Sequence, residues 1–375
     1  MAREAVLQNL AVSVIERCHA GLDLDGLRTE VLSRIRRAVP VDALWFASVD
    51  PATLLFTRAY REEIPERVTP YFVGNEFLTE DVNKWVELAG DRRGVRSLVE
   101  ATEGRIEISA RYRDIFDPLG LGDELRAVLR VRGVCWGYMC LHREKGALFT
   151  TAEMEFVRRL APHVAEGIRA ALLLGTVELT DLDDPPGLIT LSADGSLLSA
   201  TAPGRRWLEE LQTPDYPLPL DLQVLAARLR GLGPLDRSVP RVTIRTTAGR
   251  WAILHASWMP SAGDGVIAVI IEQATPAQVV PTVMLAYGLT EQERTVTGLN
   301  CRGFSTRQIA EQLYLSPHTV NDHLKSIFDK VGVSSRRELT ATILQQQYLP
   351  RAKAGQPLGP SGFYLERDVR DSKRH

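Results

Sequence analysis

Cysteine is scarce in this chain. Four residues, Cys18, Cys135, Cys140 and Cys301, are scattered without metal-ligand spacing. That excludes a disulfide scaffold and a cysteine-built zinc site, and it points to reduced, mostly buried thiols. Cys135 and Cys140 are five apart and would face opposite sides of a strand; a covalent chromophore or a redox pair there stays open. Long apolar runs are also missing. No stretch approaches 18 residues, which excludes a transmembrane helix. The first residues, MAREAVLQNLAV, lack the layout of a signal peptide, so the expected location is cytoplasmic. No P-loop, HExxH or GxSxG occurs, and no pair of carboxylates stands out, so no enzyme activity is expected. The first 180 residues show no receiver-type βα repeat with an acidic pocket.

The remaining composition is that of a soluble globular protein. Of 375 residues, 45% are hydrophobic and 25% charged, enough for two or three domains. The formal net charge is −2, less basic than a protein that grips nucleic acid through charge alone.

Residues 289–339 are the most informative. Thr290 with Glu293, Ser305 with Gln308 and Ser335 with Glu338 read as three capping boxes. Ser316 is a suitable N-cap, with Pro317 at the first helical position. Gly303 and Gly332 fall between helices, where positive φ is needed. Ile309, Ala310, Leu313, Leu315, Val320, Leu324, Ile327 and Val331 mark inner faces at helical spacing. A short helix from about 306 to 313, the turn Tyr314-Leu315-Ser316 and a longer helix to about 330 make a helix-turn-helix.

The run GFSTRQIAEQLYLSPHTVNDHLKSIFDKVGVSSRREL resembles the LuxR-type DNA-binding domain shared with NarL/FixJ response regulators. The likeness spans about 289–343, roughly a seventh of the chain. It implies an all-α four-helix domain whose third helix reads the major groove of double-stranded DNA. In this family the two positions after Thr319-Val320, and the one three beyond the second, face bases. Here they are Asn321, Asp322 and Lys325. Asn suits adenine, Asp accepts from cytosine, and Lys reaches guanine. The family usually carries Lys at the position of Asn321, so the sequence preference departs from the usual one. Arg307, Ser316, His318 and Thr319 are further DNA candidates, as are Arg336 and Arg337 at the start of the fourth helix. From Gly288 to Leu349 seven Arg/Lys face six Asp/Glu. One such domain should bind weakly, which calls for a homodimer on two half-sites. RNA polymerase is a further partner the resemblance implies.

Upstream, two amphipathic helices (3–20 and 24–39) precede strands at 43–49 and 54–59. An aromatic-rich helical segment, 69–89, and a long polar stretch, 91–114, follow. Then come strands at 124–132 and 135–142, and a helix opened by Thr150 and Glu153. From about 24 to 174 the order resembles a GAF domain, carried best by GYMCLHREKGALFTTAEMEFVRRLAPHVAEGIRAAL. Such domains bind varied small molecules or none. Trp45, Phe72, Phe77 and Trp85 are candidate ligand-lining residues, with plain core as the competing reading. His19 and His142, as lone histidines, are weak candidates for haem ligands. The stripe Val157, Leu160, Val164, Ile168 and Leu172 on the closing helix fits either a dimer contact or its own sheet, and Pro162 should kink that helix.

Five strands between 188 and 272, with helix after the second, resemble a PAS-like fold, best at LITLSADGSLLSATAPGRRWL. The expected organisation is thus a multidomain α+β chain. Its parts are an N-terminal helix (1–23), a GAF-like domain (24–174), a linker (175–187) and a PAS-like domain (188–275). A second linker (276–286), the helix-turn-helix domain (287–349) and a tail (350–375) complete it. The function expected is a one-component transcription regulator. No cofactor is required for DNA binding, although the GAF-like domain offers a place for a small molecule. The alternatives are a two-component-type response regulator and a protein-interaction regulator without a ligand.

Overall fold

The computed structural model describes residues 2–174, 185–211, 218–232, 238–259 and 265–343. Residues 175–184 of the linker expected at 175–187, residues 344–349 of the expected helix-turn-helix domain and the tail expected at 350–375 lie outside these residues. The chain divides into two compact units: one holds most of residues 1–272, the other residues 273 onward.

The first unit opens with α1 (Ala2–Cys18) and α2 (Leu24–Ala38). Asp23 caps α2 by accepting from the Gly26 N–H at 2.8 Å. β1 (Ala43–Val49) and β2 (Phe56–Glu62) form a hairpin. The aromatic segment is not one helix but two: α3 (Thr69–Leu78) and α4 (Trp85–Gly90). The break includes Asn83 at φ 58°, a left-handed conformation that helices do not accommodate. The polar stretch after it hides β3 (Val95–Ser97) and α5 (Leu98–Ala101), too short to show a period. β4 (Leu121–Val131) and β5 (Val134–Glu144) pair closely, and α6 (Thr151–Leu174) closes the module. The strand order is β2-β1-β5-β4-β3.

α1, α2 and α6 pack together, and α6 also packs on β4 and β5. Val157, Leu160, Val164 and Ile168 of α6 are buried within the chain, so this apolar stripe is used by its own sheet. A Cβ at Gly167 would lie 2.7 Å from Leu27 and 3.0 Å from the Cys18 carbonyl, so only glycine lets the three helices meet. α6 continues as helix through Pro162.

A second five-stranded sheet follows: β6 (Gly187–Ser192), β7 (Leu197–Ala200), β8 (Arg241–Arg245), β9 (Trp251–Met259) and β10 (Val266–Gln273). Two helices, α7 (Ala202–Leu211) and α8 (Leu220–Arg230), lie between β7 and β8. Its order, β7-β6-β10-β9-β8, repeats the permutation of the first sheet. Although expected as separate domains, the two sheets share one core. α8 packs on α3 and β2. Asp50 Oδ2 accepts from the Thr243 N–H at 2.9 Å, and Arg245 Nη1 donates to the Leu172 carbonyl at 2.9 Å.

The second unit is helical. Residues 276–286, expected as a linker, form α9 (Pro276–Ala286) instead. Thr275 caps it, Pro276 starts it, and Gln278 completes a capping box. Pro276 is accommodated because a first-turn residue needs no N–H partner, and Pro281 lies inside the helix. α10 (Glu291–Cys301), α11 (Thr306–Leu313), α12 (Pro317–Val331) and a helix over 336–343 follow. No helix of the described residues is long and apolar enough to cross a membrane.

Candidate nucleic-acid interface

α11 and α12 are joined by a tight turn. Tyr314 adopts φ 55°, ψ 39°, ending α11 in the left-handed conformation usually given to glycine. Ser316 then caps α12, accepting from the Thr319 N–H at 3.0 Å. Val320, Leu324 and Ile327 are buried, whereas Asn321, Asp322 and Lys325 are exposed. The helix thus presents one polar face and anchors the other.

The remaining candidates fall in distinct places. Arg307 is exposed on α11 and pairs with Glu311 at 3.0 Å. His318 Nδ1 lies 3.0 Å from Asp322 Oδ2. The His318 pKa is raised, first by a hydrogen bond with its own backbone and then by the Asp322 carboxylate. Ser316 and Thr319 hydroxyls share a 2.9 Å hydrogen bond. Arg337 is exposed. Arg336 is half-buried and its Nη1 donates to the Phe304 carbonyl at 3.2 Å, so it ties the fourth helix to the loop before α11. The expected box at Ser335 is shifted by one residue. Ser335 Oγ accepts from the Glu338 N–H at 3.2 Å, but Glu338 reaches back to the N–H of Ser334, at 2.7 Å. Tyr314, beside Ser316, is 96% exposed and was not singled out by the sequence. A non-glycine residue held at positive φ gives no sequence signal.

The family model described as bacterial regulatory proteins, luxR family, matches residues 288–343. The C-terminal unit carries a luxR-family helix-turn-helix domain. Among curated relatives, the DNA-binding transcriptional activator DevR/DosR of Mycobacterium tuberculosis is 37% identical over 51 residues. That covers 14% of this chain and 24% of the relative. The probable transcriptional regulatory protein NarL of the same species is 32% identical over 90 residues, covering 24% and 38%. MalT of Vibrio campbellii is 33% identical over 63 residues, covering 17% of this chain and 7% of the relative. The chain therefore spans well under half the length of these relatives. A solved structure of Escherichia coli SdiA aligns over 91% of this chain and 97% of that one, at 11% identity and a TM-score of 0.32.

In the first unit, Trp45, Phe72 and Trp85 are buried and converge on one aromatic cluster, and Phe77 is half-buried beside it. Trp45 lies 5.5 Å from Phe72 and 6.3 Å from Trp85, ring centre to ring centre. Phe77 meets Phe56 at 5.8 Å, and Trp85 stacks on Tyr138 at 4.3 Å. Beside these rings lies a fully buried ion network. Glu124 Oε2 accepts from Arg111 at 2.7 and 3.0 Å, and Oε1 from Arg126 Nε at 3.0 Å. Arg126 also reaches Glu76 at 2.9 Å and lies 4.6 Å above the Trp85 ring. Burial alone would raise the Glu124 pKa; the two guanidinium groups outweigh it and hold the carboxyl at about 2.

Cys140 and His142 converge on Glu124, all three buried, with ligand atoms within 4.8 Å of one another. Both carboxylate oxygens are already engaged by guanidinium groups, so a cation there would have to displace them. Burial holds His142 neutral, with its pKa lowered to about 4. His19 Nε2 lies 3.2 Å from His163 Nδ1. Burial pushes Cys18 up to about 12 and Cys135 up to about 11, which leaves both as unreactive thiols.

Proposed function

We propose that this protein is a sequence-specific transcription regulator that binds double-stranded DNA as a homodimer through α12, with the two-sheet unit controlling that binding. The observation that carries the reading is the two-faced recognition helix. Val320, Leu324 and Ile327 lock it into the domain while Asn321, Asp322 and Lys325 remain exposed on one side. Thr319, Ser316, His318, Arg307 and Arg337 are placed to hold phosphates or the sugar backbone, which sets register without reading sequence. Arg336 serves mainly to fasten the fourth helix.

On this reading the chain acts by binding rather than catalysis, works in the cytoplasm, and meets RNA polymerase at its promoters. The buried rings of Trp45, Phe72 and Trp85, with Phe77 at their edge, are the place in the first sheet where a small effector would enter by repacking. Genome-wide footprinting of the full chain tests the reading. Protected sites sharing an inverted repeat, lost at high salt, support it. Binding without sequence preference overturns the assignment of α12 as a base-reading helix. Binding only to protein partners favours the protein-interaction alternative.

A further inference from the structure

A cleft of about 520 Å³ opens in the first unit between α3, α8 and the β6–β7 turn. That lies within the range of small-molecule sites, about 300–1,000 Å³. One wall is α3, another the β6–β7 turn, and the third α8. At one end α8 and α3 are as close as backbones allow: a Cβ at Gly231 would lie 2.4 Å from the Phe77 carbonyl oxygen. One turn back along α3, at Gly74, the helices part. A Cβ at Gly74 would meet nothing within 4 Å. Glycine inside a helix is disfavoured against alanine, so its presence there, on the wall of a cleft, leaves room rather than relieving a clash.

The lining is two-sided in character. Leu197, half exposed, supplies apolar surface, and Ala226 and Ala227 border the cleft as buried residues of α8. Gln223 and Arg230 supply polar groups. Arg230 is exposed at the end of α8, where a cation is favoured in any case. Its hydrogen bond among the described residues is a long one, 3.5 Å from Nη1 to the Asp194 carbonyl. The Asp194 carboxylate also borders the cleft, but it is held within its own turn by Ser192 and by the Ser196 N–H at 3.1 Å. A guanidinium offers a planar pair of donors that matches a carboxylate.

We propose that this cleft binds a small amphipathic carboxylate, its apolar body against Leu197, Ala226 and Ala227 and its head on Arg230. The inference rests on the reading of the two-sheet unit as the sensing part. α3 gives the ligand a route inward. Its outer side borders the cleft at Gly74, and its inner side carries Phe72 and Asn75, which join the aromatic cluster and the Arg111 network.

The test uses the full chain, with anilinonaphthalene sulfonate as a fluorescent apolar anion and octanoate and octanol as competitors. Octanoate should displace the probe at least about tenfold better than octanol, the scale of one charge-assisted contact. Arg230→Gln should erase that preference. Gly74→Phe should abolish displaceable probe binding, and Gly74→Ala should keep it. Equal competition by octanoate and octanol, or unchanged octanoate binding in Arg230→Gln, overturns the proposal. Should Gly74→Phe fail to fold by circular dichroism, the Arg230→Gln comparison decides alone. Footprinting of the parent separates the two readings. DNA binding without octanoate binding sinks the cleft alone. Octanoate binding without DNA binding sinks the regulator reading and leaves the cleft.

Discussion

Lys330 Nζ lies 2.7 and 2.6 Å from the two carboxylate oxygens of Glu293, pinning the end of α12 to the start of α10. The same carboxylate accepts from the Thr290 N–H at 2.7 Å and from Ser326 Oγ at 2.7 Å. Glu293 is therefore both the capping-box residue of α10 and the anchor of α12.

This arrangement predicts acid sensitivity. Burial alone would raise the Glu293 pKa; Lys330, the Thr290 N–H and Ser326 outweigh it and hold it at about 2, against 4.5 for the free side chain. A depressed carboxylate adds stability above its unfolded pKa and loses it as pH falls through the folded one. The loss should run from about pH 4.5 down to about 2, and amount to roughly 3–4 kcal/mol at about 1.4 kcal/mol per pKa unit. Denaturant melts of the second unit across that window should show it, and Glu293→Gln should flatten the dependence. A variant with the parent's slope would remove the pair from the account.

Glu124→Ala should be more damaging to the first unit than its size suggests. It strips the shared partner from two buried guanidinium groups, Arg111 and Arg126. Breaking a buried pair by removing one partner costs about 3–5 kcal/mol. Thermal unfolding followed by Trp fluorescence should report it, because Trp85 lies directly under Arg126. A melting temperature equal to the parent's would mean the network adds nothing to stability.

How much of this was legible beforehand depended on whether the signal was local. The boxes at Thr290 and Ser305 form as their spacing implies, because a cap is decided within four residues. β1 runs over the expected Ala43–Val49, a short apolar run closed by the turn Asp50-Pro51 and buried on both faces. Such a run says nothing about how α8 comes to lie on α3, which brings residues about 150 apart into contact. The Glu124 network was equally hidden. Its members, at 76, 111, 124 and 126, look like ordinary surface charges until the fold buries them. At α9, the linker expected over 276–286 overlooked the capping box of Thr275 and Gln278, and Pro276 sits where a helix accepts proline.

The two faces of α12 should respond oppositely to substitution. Asn321→Ala and Lys325→Ala should leave helicity intact and weaken specific binding, each by about 1–3 kcal/mol, the worth of a good base contact. Val320→Asp or Leu324→Asp should abolish binding through unfolding, since both positions are buried and an unpaired carboxylate cannot be accommodated there. Circular dichroism beside operator titration distinguishes the two. Full affinity in both alanine variants, or intact helix in both aspartate variants, would mean the faces are reversed.

His318 should make DNA affinity depend on pH. Its pKa is raised above the usual 6.5 by its own backbone hydrogen bond and by Asp322. The protonated ring is the form that attracts phosphate, so affinity should rise as pH falls through neutrality. Binding isotherms between about pH 6 and 8 should show the trend in the parent and lose it in His318→Ala. An identical trend in both would assign the dependence to another group.

The near balance of charge in the helix-turn-helix segment, seven Arg/Lys against six Asp/Glu over 288–349, leads to the last prediction. A domain with so little net charge gains little from counterion release, so one copy should bind weakly. Two copies held together gain through effective concentration without any new base contact. The full chain should therefore be a dimer, with most of the contact in residues 1–275. The stripe on α6 is consumed by its own sheet, so it supplies none of that contact in this arrangement. An operator read by a two-fold dimer is an inverted repeat. The fragment 273–350, which retains α9, should bind that operator far more weakly than the full chain. Sedimentation of the full chain and titration of the fragment measure both halves of the argument. A monomeric full chain, or a fragment of equal affinity, would leave the two-sheet unit without the means of control proposed for it.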